Sequence, residues 1–499
     1  MSKRYLYGAS IQGIQDFIFK TNKLAEIVGA SELVEQICTQ KFLEVSKLNE
    51  DNVAILQIAA GNVKCEFTDE AKLASVVRNF PFEVQKMAPG ITISQAVVEI
   101  EGDDYLQNLE EKLKVQRNKI SKPLEIGFMG LERARRTGDI AFEIIKNEFI
   151  DEATYIKKQV TIASSKEFEN EKSKETLFRK IAGFDVKNAD IAFNIEDITA
   201  SGENSWIAVI HADGNGLGQI LQQKGKEISA NNKNKAFSKA IEEATKKAVQ
   251  RVFKELIEDT KSEWNKDGKY RYPIRPVVLG GDDLTVIIRA DLALDFTNKF
   301  LRYFEEISKT EFASLKIAGI EGLSACAGIA FVKNSYPLHY ALDLAEELCK
   351  DAKKKVKDGL KPNEVPLSSL AFYKVQESFI SDLDELKKRT LTTKEAWNFY
   401  AGPYLLKDVD ALIERLSILQ QEVNIGNNKT KAVGKLRQIV SESYKDVSTT
   451  TFMLERMKEI NKDFYIKLKL ENDLESLKIK GKSELLDLIT LHGFNYGNN

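Results

Sequence analysis

The chain has 499 residues, a formal net charge of −2 and 43% apolar residues. That length exceeds one hydrophobic core, so two to four domains are expected, and the balanced charge lacks the basic surplus of a protein that grips nucleic acid alone. No apolar run is long enough to span a bilayer, and the opening Met1-Ser2-Lys3-Arg4-Tyr5 lacks the apolar core of a signal peptide, so a cytoplasmic protein without membrane contact is expected.

The first hundred residues alternate strand and helix. Tyr5–Ala9 is an apolar strand, and Ser31–Leu48 carries Leu33, Val34, Ile37, Cys38, Phe42 and Val45 at helical spacing. Val53–Ala59 and Val63–Phe67 read as strands around Ala60-Gly61-Asn62, a hairpin signal. Asp69–Met87 reads as helix and Ile91–Ile100 as strand. The order βαββαβ is the ferredoxin-like split motif.

The same order returns after residue 200. Trp206–His211 is a strand and Asn232–Glu258 a long helix. Val277–Leu279 and Leu284–Ile288 flank Gly280-Gly281-Asp282-Asp283. Leu292–Ile307 is a helix, Ala325–Val332 a strand, Leu338–Lys357 an amphipathic helix and Leu370–Tyr373 a last strand. An internal duplication of one α/β unit follows. Between the copies, Lys157–Lys180 is rich in Lys, Glu and Ser and reads as a linker or mobile insertion. After Gln376 the chain reads as helical throughout, with helices over Val409–Val423 and Thr451–Lys467 and a break at Asn424–Thr430.

Cys38, Cys65, Cys326 and Cys349 are scattered without a Cys-x-x-Cys pair, so no zinc ribbon and no disulfide framework are expected. His211, His339 and His492 lie far apart, and each is expected to be structural or exposed rather than a ligand. The basic runs Arg133-Ala134-Arg135-Arg136 and Lys353-Lys354-Lys355 read first as solvated helix faces.

The chemistry is concentrated in two short stretches. Trp206 to Gly216 is a buried strand that ends in Asp213 and then turns through Gly214-Asn215-Gly216. Asp213 thereby sits at the carboxyl edge of a sheet, and backbone N–H groups from Gly214 onward can face phosphate oxygens. Gly280–Asp283 forms the four-residue tip of a hairpin, with Gly280 and Gly281 supplying the turn. A hairpin beside the first strand of such a sheet brings Asp213, Asp282 and Asp283 together. Three convergent carboxylates repel one another unless a cation neutralises them, and hard oxygen ligands select Mg²⁺ or Mn²⁺. Two such ions suit attack of a hydroxyl on an α-phosphate. Successive strand residues face opposite sides, which favours Asp213 with Asp283 as the bridging pair. Aligning the copies puts Ser10 at the place of Asp213 and Ala59-Ala60-Gly61-Asn62 at the place of Gly280–Asp283, so the first copy has no carboxylate to hold a metal. Gln12 and Asp16 remain there, more as loop-fixing groups than as nucleotide contacts.

At these residues the sequence resembles the large-subunit family of type III CRISPR systems, the palm-domain polymerases, and more distantly the GGDEF-type diguanylate cyclases. Ser10 to Phe19 and Gly29-Ala30-Ser31-Glu32-Leu33 look like that family's first palm. Asp213 and Gly280–Asp283 match the second palm's active site, and Gly328-Ile329-Ala330 and Leu344 to Leu348 the strand and helix that follow. Thr390–Leu406, with Gly402-Pro403-Tyr404, is similar to the start of the helical C-terminal domain. The resemblance implies an α+β fold of two ferredoxin-like (palm/nucleotidyl cyclase) domains with a helical C-terminal domain. It divides the chain into a first palm with a degenerate site at 1–130, a helical and charged linker at 131–200, a second palm at 201–375 and helices at 376–499. It further implies ATP, or another NTP, as substrate and cyclic or linear oligoadenylates as products in antiviral defence, with a donor ATP at the second palm and an acceptor near the first. Asp213, Asp282 and Asp283 are then the catalytic and metal-binding residues, and Gly214, Asn215, Gly216, Gly280, Gly281 and Lys353 the nucleotide contacts, Lys353 standing where related cyclases hold the triphosphate. Guide or target RNA and other CRISPR effector subunits are implied partners. Two departures stand out: family members often begin with a His-Asp nuclease domain and carry a cysteine zinc element, and neither is expected here. The rival reading is a non-catalytic scaffold or RNA-binding subunit of the effector complex.

Overall fold

A computed structural model describes residues 3–494 apart from 50–53, 60, 103, 120–128, 162–172, 174, 200–204, 219, 221–233, 261–264, 267–268, 316, 318–320, 361–363, 378–381, 396 and 425–430. The first sheet has the order β2-β3-β1-β4, from β1 (Tyr5–Gln12), β2 (Ile55–Ala59), β3 (Asn62–Phe67) and β4 (Thr92–Glu99), with every pairing antiparallel. Between β1 and β2 run α1 (Ile14–Phe19) and α2 (Leu24–Gln36), and the latter continues through a π-turn at Ile37–Lys41 into Phe42–Ser46. The helical spacing was legible from Ser31 onward; the structure starts the helix seven residues earlier, at Leu24. A further helix, α3 (Glu70–Met87), is capped by Asp69, whose carboxylate accepts from the N–H groups of Ala71 and Lys72. A last helix of this unit, α4 (Tyr105–Arg117), packs on β4 and β1.

The second sheet has six strands. After the hairpin β5 (Ala141–Ile145) and β6 (Glu148–Asp151), these are β7 (Trp206–Gly214), then, past the two-residue strands β8 (Asn265–Lys266) and β9 (Lys269–Tyr270), β10 (Ile274–Gly280), β11 (Asp283–Arg289), β12 (Ala325–Lys333), β13 (Ser369–Lys374) and β14 (Tyr404–Leu405). Their order is β10-β11-β7-β12-β13-β14. The first four repeat the plan of the first sheet, β7 at the place of β1 and the β10–β11 hairpin at the place of β2–β3. The duplication read from the sequence is therefore present in the topology.

Strand alternation decides which side chains face where. Along β7, Ala208, Ile210 and Ala212 enter one core with the long helices α7 (Asn234–Thr260) and α8 (Ala290–Ala313). Ile207 and Val209 enter the other core, which joins the first palm, the C-terminal helices and α9 (Leu338–Lys357). On α9, Ala341, Leu342, Ala345, Leu348, Cys349, Ala352 and Val356 are buried at helical spacing, and the helix has the bounds expected from sequence. Gly328 of β12 makes the close approach of α9 possible: a Cβ there would lie 1.9 Å from the carbonyl oxygen of Ala345.

Three expectations need correction. Lys157–Lys180 is not simply a linker. Its described ends are helical, within α5 (Glu152–Thr161) and α6 (Thr176–Ala182), while 162–172 and 174 lie outside the described residues. Lys157 is buried; its ammonium donates to the carbonyl of Phe17 at 2.5 Å and sits 4.0 Å over the Phe17 ring. Gly29 of α2 has no Cβ to keep the α5 backbone away, and the N–H groups at the start of α6 donate to Glu32. Second, the chain after Gln376 is not helical throughout: among the described residues, 391–395 and 397–403 form no helix, and β14 adds to β13 through Ser369–Leu405 and Leu370–Tyr404 and stacks Tyr404 on Phe372 at 5.7 Å. The added strand covers an edge that would otherwise be bare. Third, the Arg133–Arg136 run is no helix face: Arg133 bridges to Ile140, and Arg136 pairs with Glu148 and with the buried Glu26. No helix among the described residues is long and apolar enough to cross a membrane.

Candidate active site

The β10–β11 hairpin is tighter than the four-residue tip expected. Gly280 pairs with Asp283, which leaves only Gly281 and Asp282 at the turn. Gly281 has φ +61°, the positive angle that a type II′ turn needs at its first central position. Thr245 of α7 holds this turn by donating to the Gly281 carbonyl at 2.7 Å. Along β7 and β11 the register runs Ile287–Val209, Val286–Ile210, Thr285–His211 and Leu284–Ala212, so Asp283 comes opposite Asp213. Gly214 lets the tip close against the end of β7, since a Cβ on it would lie 2.8 Å from Asp282. Asp213, Asp282 and Asp283 thus converge, and Asp213 is hydrogen-bonded to both of the others.

Lys353 comes from the last turns of α9. It pairs with the Asp213 carboxylate and donates to the Gly214 carbonyl at 2.9 Å. It is therefore part of the site and not a solvated lysine. Asn215 is placed differently from a nucleotide contact: it is buried, its side chain donates to Ser324 at 3.0 Å, and its backbone N–H donates to the Ser324 carbonyl. Gly216 takes φ +75° and continues the turn.

Sequence reasoning passed over His211. Its ring shares a 3.1 Å hydrogen bond between Nδ1 and Thr285 Oγ1, and ligand atoms of His211, Asp213 and Asp283 lie within 4.8 Å of one another. The signal was available: residue 211 is two before Asp213 on one strand, hence on the same face.

The charge balance is uneven. Three carboxyl groups face one ammonium. Burial pushes Asp282 and Asp283 up, to about 7 and about 8, and the Asp213 charge adds to the rise. Burial works the same way on Asp213, but the Lys353 ammonium outweighs it and holds Asp213 below its ordinary value. Burial also pushes the His211 imidazole down to about 4, which keeps it neutral. Without a bound cation two carboxyls therefore hold their protons near neutrality. Clustered carboxyl oxygens short of positive charge are a donor set that fits a divalent ion, with Asp213, Asp283 and Asp282 as its holders.

A pH dependence follows for the protein in chelator. An acid whose pKa is raised on folding binds protons more tightly when folded, so stability falls as pH rises from the ordinary carboxylate value of 3.8 through the folded values. Asp282→Asn with Asp283→Asn should remove this loss. The stability gap between that variant and the natural chain, from denaturant titrations, is expected to widen from pH 5 to pH 8 and to shrink when Mn²⁺ is added.

The cleft before these groups holds about 470 Å³. One wall is His211, Thr285 and Gly280–Asp283; the other is Ile11, Gly13, Gln15, Asp16 and Asn62 of the first palm. The first palm has the same register with different chemistry. Ser10 pairs with Asn62 at the place of Asp213 and Asp283, and the Ala59–Asn62 pair stands at the place of Gly280–Asp283. Arg117 of α4 donates to Ser10 at 3.4 Å much as Lys353 does to Asp213. Gln12 donates to Ser94 at 2.8 Å, which fixes it within the sheet, while Asp16 lines the cleft.

Residues 206–361 match the family model described as Cas10/Cmr2, second palm domain. The chain carries a Cas10/Cmr2 second palm. The matched segment includes β7, both strands of the hairpin and all of α9, hence every group that converges on Asp213. Among solved structures, the chain is similar to a Csm1–Csm4 cassette in complex with cA3 (TM-score 0.57, 12% identity, 98% of this chain and 70% of that chain). It is similar also to the cassette in complex with pppApA (TM-score 0.56, 12% identity, 98% and 69%). Csm1 from T. onnurineus aligns with TM-score 0.52 at 14% identity, over 99% of this chain and 70% of that one. At these identities the likeness speaks for the fold. No curated protein matches the sequence.

Proposed function

We propose that this Cas10/Cmr2 palm protein is a metal-dependent nucleotidyltransferase that joins ATP into linear or cyclic oligoadenylates in CRISPR-type antiviral defence. The observation that carries the reading is the convergence of Asp213, Asp282 and Asp283 with Lys353 beside a cleft between two palms, only one of which has carboxylates at its first strand's end and hairpin tip. Structures with this fold hold pppApA, AMPPNP, cA3 and cA4, which supports ATP as the substrate and adenylate chains as products. The same structures set Csm1 beside Csm4, so a subunit of that kind is the partner we assign here.

In the proposed reaction the 3′-hydroxyl oxygen of one adenylate attacks the α-phosphorus of a second ATP. The α–β bridging bond breaks, pyrophosphate leaves and the hydroxyl proton passes to solvent. Bound Mg²⁺ or Mn²⁺, held by Asp213 and Asp283 with Asp282 at the turn, supplies charge neutralisation at the α-phosphate and the leaving group. Lys353, held beside Asp213 and the Gly214 carbonyl, would offer its ammonium to the triphosphate. Asn62 and Asp16 face the acceptor nucleotide from the opposite wall; holding two reactants in register can supply roughly 7–11 kcal/mol of the barrier. Thr245 keeps the turn that carries Asp282 against α7 and so holds the site rigid.

Metal removal tests this reading. Pyrophosphate release from ATP by the full chain with its effector partners is expected with Mg²⁺ or Mn²⁺. It should stop when EDTA is added and return when the ion is restored in excess. Release that persists in EDTA would contradict the assignment.

A further inference from the structure

His211, Thr285, Asp213 and Asp283 occupy one face of two neighbouring strands. His211 stands opposite Thr285, and each carboxylate is two residues from one of them. The imidazole is therefore held next to the carboxylates by the pleat itself. Ligand atoms of His211, Asp213 and Asp283 lie within 4.8 Å of one another, a separation that a single ion can span. Nδ1 is occupied by the Thr285 hydroxyl at 3.1 Å, and this fixes the ring and leaves Nε2 for a ligand. A hydrogen bond on the far ring nitrogen is the usual way to orient a metal-bound histidine. The equivalent places in the first palm, read from its register, are Gly8, Lys64, Ser10 and Asn62, which offer neither imidazole nor carboxylate.

We propose that His211 is a metal ligand of this site, so that the ion held with Asp213 and Asp283 is a first-row transition ion such as Mn²⁺ in preference to Mg²⁺. The inference rests on the reading of Asp213 and Asp283 as metal holders. Its physical basis is ligand type. Mg²⁺ takes oxygen ligands in a rigid octahedron and keeps several waters, whereas an imidazole nitrogen raises affinity for the transition ions above it. Thr285 is a positioning residue, acting on the ion only through the ring.

The test is spectroscopic and needs no turnover. Full-length protein is labelled with ¹⁵N-histidine, loaded with Mn²⁺ with and without ATP, and read by pulsed electron paramagnetic resonance. A ¹⁵N coupling to the ion is expected, and of the three histidines only His211 is in that group. Calorimetric titration of His211→Ala and His211→Gln should show Mn²⁺ affinity reduced by roughly 10–100-fold, with Mg²⁺ affinity changed by less than about 3-fold. Mn²⁺ that binds, is lost in Asp213→Ala, and yet shows no nitrogen coupling would overturn the role of His211 and leave the carboxylate site standing. Failure of the natural chain to bind Mn²⁺ at all, with or without ATP, would overturn both. Should the variants fail to fold, the coupling in the natural chain decides alone.

Discussion

Asp213→Ala is expected to lower ATP turnover by about 10³-fold or more while leaving the folded chain intact. Asp213 is hydrogen-bonded to both other carboxyls and paired with Lys353, so its loss removes the shared ligand and frees the lysine at once. Asp282 and Asp283 would remain on the turn side, with no carboxylate left on β7 to complete the site. Some stability is lost as well, because the substitution leaves the largely buried Lys353 ammonium without its carboxylate partner. Thermal melting in chelator checks the fold, and pyrophosphate release checks the chemistry. A folded variant with more than a tenth of the natural rate would remove Asp213 from the mechanism.

Gly328→Ala is expected to damage stability and activity together, although residue 328 touches no substrate. Its Cβ would meet the Ala345 carbonyl at 1.9 Å and the Cys349 N–H nitrogen at 2.6 Å. Both are backbone atoms of α9, so the helix must move as a body; overpacking of this kind costs about 2–3 kcal/mol. Lys353 rides on that helix one turn beyond Cys349, and a displacement near 1 Å can cost about 10²-fold in rate. Gly434→Ala, in the helix Lys431–Ser443, is the control: nothing lies within 4 Å of its Cβ, and a gain of up to about 1 kcal/mol is expected. Urea titration of both variants, beside their turnover, separates the two cases. Equal stability of Gly328→Ala and the natural chain would mean that α9 is free to shift.

The elements that carry the site were legible because they obey simple periods. Trp206 onward reads as an alternating buried strand, Leu338–Lys357 as one helical stripe, and Gly280–Asp283 as a turn between two β-rich runs; each is present, the turn being tighter by two residues. The convergence of three aspartates followed from topology, and the registers Ala9–Val63 and Ala212–Leu284 align the two palms as the sequence comparison did. What escaped depends on tertiary packing. Lys157 looked like part of a polar linker because nothing local announces that Gly29, 128 positions earlier, leaves space for its carbonyl. Asn215 looked like a phosphate contact because the turn around it is glycine-rich; its partner Ser324 lies 109 residues on. His211 was judged as one of three scattered histidines rather than by its place on β7, where the two-residue period would have paired it with Asp213.

The central claim is that the second palm makes phosphodiester bonds from ATP. It is tested most directly by incubating the full chain, assembled with its effector partners and RNA, with each of the four nucleoside triphosphates and Mg²⁺ or Mn²⁺, and reading the products by mass spectrometry. Oligoadenylates, linear or cyclic, should appear from ATP in the natural chain and be absent from Asp282→Ala with Asp283→Ala. Unreacted ATP in the natural assembly, or the same products from the double variant, would contradict it.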